Sequence, residues 1–214
     1  MKNATQTTIT QWIGNHQMTV MLDAGFNRHI RFQNSETSTH WFELVTFENG
    51  LLLHGDFGNY SFRKNHVADM FSFFCGREND SEYVSSKIAT QDAKALCSTN
   101  LFRGTHLVFS ERLSKEYIKD RFSDWLDGKV DEGEFSQNTA SANNTKFQKH
   151  VDCEYFERIE DVIDEYEHFF FDGYFIKFNF DDFDPYELSQ QYLDCVDAIK
   201  WGIGKYDEYK GRKS

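Results

Sequence analysis

The chain has 214 residues, a formal net charge of −12 and an aromatic content of 17% that includes 22 phenylalanines. That length fits one domain, or one domain with an appendage, and the aromatics supply a substantial core. The charge argues against binding to nucleic-acid phosphates, and no run approaches the ~20 apolar residues of a membrane-spanning helix.

Residues 1–7 are polar and read as a frayed end. Residues 8–13 and 18–22 are short β-type runs around Gly14-Asn15, which predicts a first hairpin. Asp23-Ala24-Gly25 reads as a turn. Residues 28–33 alternate, with Ile30 and Phe32 on one face and His29 and Arg31 on the other, the period-two pattern of a half-buried strand.

After a polar loop at 34–39 comes the stretch that organises the chain, residues 41–75, reading WFELVTF, ENG, LLLHGDFGNYSF and RKNHVADMFSFFC. Asn49-Gly50 tolerates the positive φ angles of a type I′ turn, so the runs on either side should pair antiparallel. Gly55-Asp56-Phe57-Gly58 gives a second reversal, and Tyr60 and Phe62 then alternate with Ser61 and Arg63. Asn65 can cap a helix with Val67, Met70, Phe71 and Phe74 on its inner face, and Gly76 can take the left-handed position that closes it.

Residues 77–81 read as a loop, and 82–90 fit strand and helix equally. Residues 91–96 read as a short helix and 106–109 as a strand. Ser114 can cap a helix over 115–126, with Tyr117, Ile118, Phe122, Trp125 and Leu126 on one face and Gly128 at its end. Residues 131–150, DEGEFSQNTASANNTKFQKH, have low complexity and read as an exposed loop or hinge. Residues 158–171 predict a helix with Ile159, Val162, Ile163, Tyr166 and Phe170 on one face, followed by a strand or an extended aromatic segment at 174–180. Asp184-Pro185-Tyr186-Glu187 combines a cap, a Pro at the first helical position and an acid three residues after the cap. The helix it starts should run to about residue 206 and bury Leu188, Tyr192, Cys195, Val196, Ile199, Ile203 and Tyr206. Gly202 and Gly204 within it each cost about 1 kcal/mol of helix propensity, which close packing would explain.

The expected fold is α+β: an antiparallel meander with helices packed mainly on one side and a helical acidic C-terminal part. In domain terms, 1–130 holds the sheet and helices, 131–150 the loop or hinge, and 151–214 the acidic helical part on the same core.

Several chemical motifs compete with plainer structural readings. Asp56-Phe57-Gly58 spells the kinase metal triplet, but the catalytic loop and glycine-rich loop a kinase needs are missing, so it reads as a turn. His54-x-Asp56 offers a base and its orienter, or two metal ligands, against the plainer reading of a strand end and a turn. Asp181, Asp182 and Asp184 could hold a hard cation, but EF-hand spacing is absent and Asp184 has its role as a cap. His16, His29, His40, His66, His106, His150 and His168 are scattered singly. Cys75, Cys97, Cys153 and Cys195 lie far apart without CxxC or zinc spacing, and with no signal-peptide pattern they read as reduced cytoplasmic thiols. A Cys–His pair can meet only in the fold. No catalytic residue, metal or cofactor is assigned.

The run 41–74, with its Gly-Asp-x-Gly turn and Asp69-Met70-Phe71-x-Phe73-Phe74, resembles a family of temperate-phage and prophage proteins that brings no established reaction. Trp201-Gly202-Ile203-Gly204-Lys205-Tyr206-Asp207 is similar to that family's ending, so the resemblance brackets most of the chain. Departures occur at Phe57, where Met is expected, and at Glu48-Asn49, where a Pro-Gly type turn is expected.

Charge is unevenly spread. Residues 151–210 carry seventeen acids against five bases, whereas the first 150 carry eighteen and sixteen. Glu160, Asp161, Asp164, Glu165 and Glu167 would share one helix face, with Asp181 and Asp182 in a following turn. The plain reading is a solvated surface. Together with the phage resemblance, the functional reading is an acidic partner-binding surface. It would occupy the basic groove of a host protein in the host cytoplasm, mimicking nucleic acid and inhibiting a nucleic-acid-handling defence factor in the manner of an anti-CRISPR. No direct nucleic-acid or membrane binding is expected, and a homodimer is left open. The alternatives are an enzyme for a small-molecule or nucleotide substrate, with a site near His54 and Asp56, and a self-associating assembly protein.

Overall fold

A computed structural model describes residues 5–76, 79–91 and 106–211. The chain divides into two compact units, residues 1–107 with 188–214 and residues 108–187. The architecture is α+β, but the second unit is an insertion rather than a C-terminal part, and the division falls neither at 130 nor at 150.

The first unit is built on a six-stranded sheet whose strands pair in sequence order: β1 (Gln17–Ala24), β2 (Asn27–Gln33), β3 (Phe42–Phe47), β4 (Gly50–Gly55), β5 (Gly58–Arg63) and β6 (Ile88–Gln91). All pairings are antiparallel. Alternation decides the faces: Ile30, Phe32, Phe42, Leu44, Leu51, Leu53, Tyr60 and Phe62 are all buried. The β3–β4 loop is Glu48-Asn49, with Phe47 paired to Gly50. Of these two loop residues only Asn49 has positive φ, so the turn is not type I′, which needs it at both, and Gly50 lies in β4 rather than in the loop. Asp56-Phe57 forms the next two-residue loop between paired Gly55 and Gly58, both at positive φ.

Four helices among the described residues belong to this unit: α1 (Thr5–Ile13), α2 (Met70–Phe74), α3 (Ser81–Ser85) and α7 (Gln190–Tyr209). α1 replaces the first strand of the expected hairpin. Ile9 and Ile13, four residues apart, are both buried, and this helical repeat outweighs the β-branched composition. α2 is shorter than expected, because Asp69, not Asn65, is its cap: its carboxylate accepts the Phe71 N–H at 3.0 Å. Gly76 is not left-handed. α7 is capped by Ser189, and 186–188 are strand rather than the expected first helical turn. The expected stripe from Tyr192 to Tyr206 is buried, and Leu188 is half-buried. A Cβ on Gly202 would lie 3.0 Å from the Phe32 ring and 3.1 Å from a Leu44 methyl, so here the glycine does permit close packing of α7 on the sheet. Of the helix expected at 91–96, Gln91 is the last residue of β6, and 92–96 fall outside the described residues, as does Cys97.

In the second unit, α4 (Glu111–Asp131), α5 (Gln137–Cys153) and α6 (Ile159–Tyr166) precede a hairpin of β8 (Phe169–Phe171) and β9 (Tyr174–Ile176). β7 (Leu107–Phe109) and β10 (Tyr186–Leu188) carry the chain across the unit boundary and pair with each other. Ser110, not Ser114, caps α4, and Gly128 lies within it. The low-complexity stretch expected as a loop is mostly α5: Ala140, Phe147 and Val151 are buried at helical spacing, and Ser136 caps it. The Phe147 ring stacks on Phe122 at 3.8 Å between centroids. The helix expected over 158–171 stops at Tyr166, and Phe170 is 67% exposed on β8 rather than buried.

Candidate functional site

The N-terminal turn of α6 holds the first expected site residues. Asp161 folds back to accept the N–H groups of Glu157 and Arg158 at 3.1 and 3.0 Å and pairs with the Arg158 guanidinium at 3.0 Å. Burial pushes its carboxyl up, but those three donors outweigh it and hold the group below the usual carboxylate range. Asp161 is therefore part of the helix cap rather than a free charge. Val162 and Tyr166 are buried and Ile163 half-buried, which turns Glu160, Asp164, Glu165 and Glu167 outward. None of these four enters an ion pair among the described residues.

The two aspartates of the following turn differ. Asp182 accepts from the Tyr117 hydroxyl at 2.6 Å and the Arg121 guanidinium at 2.5 Å, and both lower its pKa. Asp181 is exposed and, among the described residues, its carboxylate accepts only from the Asn179 amide at 3.1 Å. A cavity of about 560 Å³ brings Asp181 and Glu167 together, with Lys177 as its cation and Ile163, Phe178 and Phe180 supplying apolar lining. The sequence could not show this meeting, because it depends on the β8–β9 hairpin returning the chain to α6.

That hairpin also adds residues that sequence reasoning missed. Phe170 and Phe175 are opposite one another in the ladder and are 67% and 66% exposed. The signal that finds them is Asp172-Gly173, a two-residue loop with positive φ at both positions and Phe171 paired to Tyr174. The imbalance of charge is likewise a property of the whole unit. Residues 108–187 contain twenty-one acids and nine bases, and the rest of the chain fourteen of each. The second unit thus carries the entire net charge of −12.

The other motifs resolve into local structure. His54 hydrogen-bonds Asn59, its partner across β4–β5, and stands edge-on to Trp41 at 5.2 Å; no hydrogen bond joins it to Asp56. Among the described residues, no three His, Cys, Asp or Glu side chains are grouped to hold a metal ion. Cys195 is fully buried, and burial raises its thiol pKa; burial likewise raises Cys75, the reverse of what an activated nucleophile needs. No helix among the described residues is long and apolar enough to cross a membrane. Comparison with protein-family models, curated proteins and solved structures finds no match to this chain.

Proposed function

We propose that the chain is a temperate-phage accessory protein that binds and blocks a host nucleic-acid-handling defence factor, such as a CRISPR effector, in the host cytoplasm. The second unit supplies the contact surface. The observation that carries this reading is the meeting of Glu167 and Asp181 on one cavity, beside the unpaired carboxylates of α6. Carboxylates on a folded surface offer a basic groove the charge that nucleic-acid phosphates offer, without a flexible backbone to order. A surface of this sign speeds the encounter with a basic partner and disfavours acidic ones. Phe170 and Phe175 fit the role of aromatic anchors within the charged surround.

Capture of the tagged protein from infected cells, read by mass spectrometry, identifies the partner without presupposing its charge. The expected partner binds nucleic acid and releases it on titration with this protein. A partner that keeps its nucleic acid at saturation contradicts the reading. The exposed Phe170–Phe175 pair also suits a second copy of the chain, and light scattering distinguishes that reading: a stable dimer that dissociates in Phe170→Ser would favour self-association.

A further inference from the structure

A second cavity, of about 440 Å³, lies in the first unit where β5 and β6 part from regular pairing. Ser61 pairs with Thr90 and Phe62 with Ile88, so Ala89 is the extra residue of a bulge. The Arg63 N–H donates to the Lys87 carbonyl at 2.8 Å, which fixes the two chain segments against each other. Among the described residues the cavity is lined by Arg63, Lys64 and Lys87, with Asn65, Ser86, Ile88 and Ala89, and by no carboxylate. Basic side chains elsewhere are mostly paired with acids, but none of these three enters an ion pair among the described residues.

Tyr83 gathers the charges. The Lys64 ammonium donates to its hydroxyl at 2.7 Å and lies 4.9 Å from the ring centre, while Lys87 Nζ lies 4.6 Å from the same centre. Lys64 also sits 4.8 Å from the Phe73 ring. The Lys64 hydrogen bond lowers the Tyr83 hydroxyl pKa, and both lysine charges add to that. Like charges held near one another without counter-charges cost free energy, and an anion with several acceptor oxygens removes that cost. Arginine suits bidentate contact with phosphate and lysine acts as a compact point charge. The volume lies in the range of small-ligand sites and well below what a duplex requires.

We propose that this cavity binds the phosphate group of a small phosphorylated molecule, with Arg63, Lys64 and Lys87 as its cations and Tyr83 as the positioning residue. The site is independent of the acidic surface and of the partner it would engage.

Titration calorimetry of the full chain with inorganic phosphate, pyrophosphate and adenosine mono- and triphosphate, at ionic strength held constant with chloride, tests the proposal. Saturable one-to-one binding is expected for at least one of them. If inorganic phosphate matches the nucleotides, the site reads the phosphate alone; tighter nucleotide binding shows that the rest of the ligand contributes. Arg63→Gln and Lys87→Met should each weaken binding roughly tenfold or more. Tyr83→Phe, which keeps the ring and removes the hydroxyl, should weaken it less than either. Lys205→Met, remote in sequence and paired with Glu208, should leave it unchanged. Unliganded melting curves of Arg63→Gln, an exposed side chain, establish that the fold survives. Absence of saturable binding at millimolar concentrations overturns the proposal. So does binding that Arg63→Gln and Lys87→Met leave intact, or binding to single-stranded oligonucleotides alone.

Discussion

The two units are stabilised by similar means and differ in what they show to solvent. Each has its own aromatic cluster: Phe32, Phe42, Phe62, Phe71 and Phe74 in the first, and Phe122, Phe147, Phe171 and Phe178 in the second. The first carries fourteen acids and fourteen bases, and the second twelve more acids than bases. Hydrophobic burial can fold either chain segment, so the excess charge of the second is not needed for its fold and opposes compactness through self-repulsion. On the proposed reading, the excess charge marks the inserted unit as the one that makes the partner contact.

The largest expected effects test whether the two cores are separate. Phe71→Ala and Phe147→Ala should each cost about 3–5 kcal/mol, the usual range for emptying an aromatic core site. Hydrogen exchange should show protection lost in β2–β5 and α7 for the first and in α4–α6 for the second. Loss throughout the chain from either substitution alone would merge the two cores and remove the basis of the comparison.

A buried charge in the first unit should respond nearly as strongly. Arg28 shares the inner face of β2 with Ile30 and Phe32, its guanidinium donates to both Asp69 oxygens at 2.8 and 2.9 Å, and it lies 4.7 Å from the Phe71 ring centre. Asp69→Ala leaves that charge without its carboxylate and α2 without its cap, at an expected cost of about 3–5 kcal/mol in a denaturant melt. A cost below about 1 kcal/mol would mean that Arg28 reaches solvent.

Gly202 and Gly204 sharpen the account of α7 because their alanine variants should have opposite signs. Gly204→Ala meets open space and should stabilise by about 0.5–1 kcal/mol through helix propensity. Gly202→Ala gains the same propensity but presses on Phe32 and Leu44, and should lose about 1 kcal/mol net. Equal gains at both would show that α7 lies farther from the sheet.

The smallest effect is one of pH. Burial lowers the pKa of His16 and His106, both in the first unit, so each binds a proton more readily in the unfolded chain. Their contribution is present above about 6.5, the ordinary value, and is lost as pH falls from there toward the folded-state pKa. In the second unit, Asp161 and Asp182 are lowered instead, so their contribution is present above the ordinary carboxylate value of about 3.8 and is lost only as pH falls from there through the folded-state pKa. The sheet unit should therefore soften first just below pH ~6.5, and His106→Gln should flatten that response. An unchanged pH profile in His106→Gln would remove its role.

How much of this was legible depends on the range of the forces involved. The meander could be read because side-chain alternation is local: residues 28–33 and 41–63 gave faces that the burial of Ile30, Phe32, Leu44, Leu53 and Tyr60 matches. α5 was hidden because its polar residues outnumber the apolar ones, and Ala140, Phe147 and Val151 form a stripe too sparse to suggest burial until Phe122 stacks on it. The inserted unit was hidden because α7 returns to the sheet after eighty intervening residues, a contact without local trace. Within the site, the exposed carboxylates of α6 followed from helical spacing. The pairing of Asp182 with Arg121, sixty-one residues away, did not.

On the proposed reading, the unpaired carboxylates of the second unit steer association with a basic partner. The most direct test combines Glu160→Gln, Asp164→Asn, Glu165→Gln and Glu167→Gln and leaves the capping Asp161 in place. Association with the partner captured from infected cells is then timed by stopped flow across a salt series. The wild type should associate faster at low salt and slow steeply as salt rises. The variant, with an unchanged melting curve, should be roughly tenfold slower at low salt and nearly indifferent to it. A variant that matches the wild-type rate and salt dependence would contradict the claim and leave the acidic face as solvated surface.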